Sequence, residues 1–147
     1  MKDRTGISDA EARRIIMITT KLRMTSTYQA AERMRRALGA ERMAQMHEAS
    51  REHAAVRLLI GTWERIAMFT QDFNERQFVR LFACHPVGLV WNTLQPGVAL
   101  IRGTGLVDTG YGANLEGLAK RYDDWTQTKE GAAFRTEAQQ TVCAMFA

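Results

Sequence analysis

Three charged residues in the second half of this 147-residue chain have types and surroundings that could do chemistry: Glu64, Arg102 and Glu116. Glu64 has Ile60, Gly61, Ala67 and Met68 as its helical neighbours at three and four residues' distance. A carboxylate so placed is half buried and needs a partner. Arg102 is the best candidate, because a guanidinium can grip a carboxylate with two parallel bonds. Glu116 is a second candidate for the cluster. The expected role is a structural ion pair, whose breakage would cost about 3–5 kcal/mol. The enzymatic reading of the same residues is a helical pocket completed by Tyr111.

Other chemistry lacks parts. A di-iron bundle needs Glu-x-x-His pairs on two helices, and no Glu of this chain is followed three residues later by His. His47 and His53 point to different sides of a helix. No metal and no cofactor is expected. Cys84 beside His85 looks like a nucleophile with its base, but sequence neighbours on a helix do not face each other. Cys84 therefore reads as a small buried hydrophobe. Gly105 and Gly110 match the outer glycines of a phosphate loop, yet Tyr111-Gly112 stands where Lys-Ser/Thr would hold phosphate and magnesium. Gly103–Gly112 reads as an interhelical loop and as the second-ranked recognition surface.

The elements that must position these residues are helical. Ser8-Asp9-Ala10-Glu11 forms a capping box opening a helix to about Met24. Thr25-Ser26-Thr27 is a break with cap chemistry. Thr27, Ala31, Met34 and Leu38 share the next helical face, and Gly39 stops it. Residues 40–50 continue as helix. Arg51–Thr70 is apolar on nearly all sides, as a central helix is. Asp72-Phe73-Asn74 is a turn and cap before a short helix, Glu75–Ala83, with Phe78, Leu81 and Phe82 inward. His85-Pro86 opens the next helix. Pro96-Gly97 should kink or split it, and Val98–Arg102 is helix or strand. Asn114 to about Thr128 carries Leu115, Leu118, Tyr122 and Trp125 at helical spacing. A last helix spans about Ala132–Met145.

Length and composition fit this picture. At roughly 150 residues per domain the chain is one domain. Its apolar fraction is 46% and its charged fraction 24%, both globular, which excludes a fibrous, disulfide-scaffold or disordered chain. Uninterrupted apolar runs such as Ile15–Ile18 fall far short of the ~18 residues of a membrane span. Two isolated cysteines, Cys84 and Cys143, suit a reducing cytoplasm. The net charge of +4 is uneven. Residues 1–60 hold 12 basic and 7 acidic side chains, and residues 61–147 hold 8 and 9.

The basic residues of the first half, Arg13, Arg14, Lys21, Arg23, Arg33, Arg35, Arg36 and Arg42, lie among Met17, Met24, Met34, Met43 and Met46. Methionines are flexible and polarizable, which suits adaptable protein surfaces. Two helices joined at Thr25–Thr27 also suggest a helix-turn-helix. The turn lacks the usual Gly, and the second helix offers little besides arginine and Gln29 to read bases.

Residues 56–125 carry a recognisable order of motifs. Trp63-Glu64-Arg65-Ile66-Ala67 is followed by Glu75-Arg76-Gln77-Phe78-Val79, Trp91, and Pro96 with Ile101-Arg102. Tyr111 and Asn114-Leu115-Glu116-Gly117-Leu118-Ala119 close the series. This order resembles an uncharacterised bacterial and phage helical family, a domain of unknown function. The resemblance covers about half the chain and implies an all-α fold without implying an activity. Two departures stand out: many members of that family carry an N-terminal membrane anchor, and an aromatic residue stands where this chain has Leu115.

The sequence thus predicts an all-α, single-domain bundle of six or seven helices around a central apolar helix at about 51–70. The expected function is that of a small non-enzymatic binding or regulatory protein. A phage or mobile-element inhibitor of a host factor fits its size and lack of chemistry. Its expected contact surface is the basic, Met-rich region, with Arg13, Arg14, Lys21, Arg23, Arg33, Arg35, Arg36, Arg42 and Met46. The expected partner is a protein, a second copy of the chain included, with no membrane. The alternative is nucleic acid held by the same arginines.

Overall fold

The computed structural model describes residues 6–82 and 87–134. Those residues form seven helices: α1 (Asp9–Met24), α2 (Ser26–Leu38), α3 (Ala40–Gln45), α4 (Arg51–Phe69), α5 (Glu75–Phe82), α6 (Val87–Gly103) and α7 (Ala113–Thr126). Residues 129–134 are also helical, and no strand occurs among the described residues. The fold is an all-α bundle, and none of its described helices is long and apolar enough to cross a membrane.

Cap chemistry sets the helix starts. The Ser8 hydroxyl accepts from the Glu11 amide, Thr25 from Tyr28 and Ser50 from His53. Each satisfies one of the amides that a first turn leaves free. Ser50 also explains a departure from the sequence reading. Helix does not run through residues 40–50. It stops at Gln45, the chain turns at Met46, and Ser50 restarts it as α4. The turn is held by the Ala49 amide donating to His47 Nδ1 at 3.1 Å and by Ser50 N–H donating to the His47 carbonyl at 2.8 Å.

α4 is the centre. Its Val56, Leu59, Ile60, Trp63 and Ile66 are all buried, and it packs against α2, α3, α7, α1 and α6. α3 lies tightly on α6, where Gly97 meets the Ala40 carbonyl. Pro96 does not split α6, which runs on as helix through Arg102, so no strand forms there. Pro96 and Asn92 are both exposed.

α1 sits at the edge. Only its Ala12 and Thr19 are fully buried. Its N-terminal end is tied down by the buried Gln77 of α5. The Gln77 side-chain amide donates to the Ile7 carbonyl at 2.7 Å, and its oxygen accepts the Asn74 amide at 3.1 Å. Asp9 and Arg76 add an exposed ion pair at 3.1 Å. The expected helix start at His85-Pro86, the paired Cys84 and His85, Cys143, and most of the expected Ala132–Met145 helix lie outside the described residues.

Candidate partner-binding surface

The buried edge of α1, centred on Ala12 and Thr19, leaves the opposite side of the helix to solvent. Along that side Ala10, Met17 and Met24 recur every seven residues. Seven residues bring a helical side chain back to within about 20° of the same direction. Met17 is 54% and Met24 72% exposed, large values for apolar side chains. Arg13, Arg14 and Lys21 flank this seam and are exposed. None of the three forms an ion pair with a described residue. The outer face of α1 is therefore an apolar seam bordered by unpaired cations.

The structure distributes the remaining basic residues differently from a single surface. Arg23 turns inward. Its guanidinium lies over the Trp63 ring at 5.1 Å from the centroid, and the Trp63 indole N–H donates to the Tyr28 hydroxyl at 3.0 Å. Arg35 is taken up by Glu32, with N–O distances of 3.0–3.3 Å. Arg33, Arg36 and Arg42 are exposed on α2 and α3. Met43 is a core residue with no exposure, and Met46, at the end of α3, is half-buried. Exposed apolar side chains thus belong to α1 rather than to the whole stretch 13–46.

The charged cluster of the second half also differs from expectation. Glu64 does not pair with Arg102. Its carboxylate accepts the Leu115 backbone N–H at 2.6 Å and the Asn114 side-chain amide at 3.0 Å. Arg102 instead donates through Nε to the Tyr111 carbonyl at 2.6 Å and through Nη2 to Glu116 at 3.2 Å. The reason is the start of α7. Its N-cap position is Gly112, which has no side chain to accept the free amides. Glu64 supplies that acceptor from α4, and the N-terminal end of a helix favours a negative charge. The missing cap at Gly112 is the sequence signal that could have pointed there.

Tyr111 lies beside this cluster. Burial raises its phenol above the ordinary value near 10, the neighbouring Arg57 guanidinium pulls it back and the Glu64 carboxylate pushes it up. Between α4 and α7 a shallow cleft of about 210 Å³ is lined by small and polar residues including Ala67, Thr70, Asn114, Gly117 and Arg121. Arg121 is engaged within the fold, donating to the Phe73 carbonyl at 2.6 Å and lying over Phe78. No nucleophile–base pair lines the cleft. Among the described residues no three His, Cys, Asp or Glu side chains are grouped to hold a metal ion.

No family model, no curated protein and no solved structure matches the chain. The resemblance of residues 56–125 to a helical family of unknown function accordingly rests on its short motifs.

Proposed function

We propose that this chain is a small binding or regulatory protein that acts by contact with another protein, through the outer face of α1. The single observation that carries the reading is the exposure of Met17 and Met24 on one line, with Arg13, Arg14 and Lys21 beside them. Isolated exposed apolar side chains are ordinary on a protein surface, but aligned ones rimmed by polar groups mark contact sites. The polar groups of the α4–α7 cleft are spent on capping and packing, which favours contact over catalysis. Two isolated cysteines favour a reducing cytoplasmic setting.

The test is affinity capture from nuclease-treated lysate of the source cells, comparing the wild-type chain with the double substitution Met17→Glu, Met24→Glu. Both positions are exposed, so circular dichroism should be unchanged. A protein retained stoichiometrically by the wild type and lost by the variant supports the reading. Retention indifferent to the substitutions, or present only before nuclease treatment, overturns it. The second outcome would assign the arginines of α1–α3 to nucleic acid.

A further inference from the structure

We propose that α1 is a strap that opens as one unit about Thr25 while the rest of the bundle stays folded, uncovering Trp63, Ile66, Leu81 and Phe82. The proposal goes beyond the contact reading and stands without it, because the chain alone is tested.

α1 is fastened at its two ends and slack between them. At the N-terminal end the Gln77 side-chain amide donates to the Ile7 carbonyl at 2.7 Å. The Asp9–Arg76 pair beside it is exposed on both sides, where an ion pair adds little. At the C-terminal end the Arg23 guanidinium lies over Trp63, and the Gln29 side-chain amide donates to the Arg23 carbonyl at 2.6 Å. From Ala10 to Leu22 no hydrogen bond or ion pair joins α1 to another helix among the described residues.

The underside of α1 fits poorly on what lies beneath it. Of its 16 residues only Ala12 and Thr19 are fully buried, the first small and the second polar. Ile15, Ile16 and Leu22 are half-buried. The Thr19 and Thr20 hydroxyls both donate to the Ile16 carbonyl, at 2.8 and 2.9 Å. They are spent inside α1, and such back-bonding slightly weakens a helix. Beneath them lie Trp63 and Ile66 of α4 and Leu81 and Phe82 of α5, all buried. A crevice of about 10 Å³ lies between the threonines and those four side chains, room for about one water.

Segments with little buried apolar surface and few cross-links open before the core does. Thr25 supplies the pivot. It is the single residue between α1 and α2, with extended backbone at φ −64° and ψ 146°. Its hydroxyl accepts the Tyr28 amide, so α2 keeps its cap when α1 leaves. α2 itself packs closely on α4 and stays with the bundle. A change confined to a residue between two helices swings one of them as a rod.

The experiment is amide hydrogen exchange of the full chain, read residue by residue by NMR under native conditions. The amides of Ile15–Leu22 should exchange as one group, about a hundredfold faster than those of Leu59–Ile66 in α4. Glu64→Ala loosens α7 and leaves the α1 contacts in place, so it should speed exchange in α4 and leave α1 within about twofold. Gln77→Ala removes the latch and should speed α1 about tenfold. Thr19→Val puts a methyl over the apolar floor and should slow α1 about threefold, which keeps the test open if Gln77→Ala does not fold.

α1 and α4 amides that exchange at one rate and respond alike to Glu64→Ala overturn the strap, since α1 then opens only with the whole fold. Protection that climbs steadily from Asp9 to Met24 overturns it too, because that is fraying from one end. An α1 rate unmoved by both Gln77→Ala and Thr19→Val overturns the latch and the floor as what holds α1 down.

Discussion

The Glu64 carboxylate on α4 accepts the backbone N–H of Leu115 in the first turn of α7 at 2.6 Å, joining residues 51 apart in sequence. One acidic side chain in the middle of the central helix thus does the capping that Gly112, at the start of α7, cannot do. The same contact sets where α7 begins and where it lies on α4.

Glu64→Ala should lower the unfolding free energy by about 1–2 kcal/mol, the range for losing a helix cap with a charged acceptor. That is less than the cost of breaking a buried ion pair, because Glu64 is only half-buried and its loss strands no buried cation. Glu64→Gln keeps an acceptor and should lose less. Urea denaturation followed by circular dichroism measures both. A Glu64→Ala chain as stable as wild type would show that α7 does not need this cap.

Gly112→Ala should cost about 1–3 kcal/mol for two separable reasons. Gly112 has φ +81°, in the left-handed region, and an added Cβ would stand 2.8 Å from Val98 Cγ1. Val98→Ala should remove the clash and leave the backbone strain. The double substitution should therefore cost less than the sum of the two single ones. Strict additivity would locate the whole penalty in the backbone.

Trp63 and Tyr28 should couple in a double-mutant cycle. Their hydrogen bond of 3.0 Å is buried, and it joins α4 to α2. Tyr28→Phe leaves the indole N–H without its partner and should cost about 1–3 kcal/mol. Adding Trp63→Phe removes the stranded donor, so the second substitution should cost less in the Tyr28→Phe background than alone. A coupling energy of zero would mean that the indole finds another acceptor.

Alkaline stability should carry the signature of Tyr111. Burial holds its phenol above the ordinary value near 10 in the folded chain. Below pH 10 both folded and unfolded forms keep the proton, and stability from this group is complete. As pH rises past 10 the unfolded phenol ionises first, so stability falls until the folded phenol follows. Tyr111→Phe should therefore flatten the decline of melting temperature above pH 10 relative to wild type. An identical decline in the two chains would place Tyr111 in water.

Helix starts and central packing were legible in the order of residues because both are short-range. Ser8 and Thr25 cap the amides three residues on, and the apolar run of 51–70 must be buried on nearly all sides. The sequence misplaced the helix after Gln45, where Ser50 offered a cap that competes with continued helix. It also expected a kink or a split at Pro96, and α6 runs on there unsplit. What only the tertiary structure decided is the assignment of charges. Glu64 and Arg102 were natural partners by type. Yet the carboxylate is claimed by α7 amides that have no local acceptor, and the guanidinium by the Tyr111 carbonyl and Glu116. Arg23 and Arg35 looked like Arg13 and Arg14, but an aromatic ring and a neighbouring carboxylate hold them within the fold. Periodicity determines which residues share a face of one helix. Which face then meets water, and which charge meets which, depends on where the other helices lie.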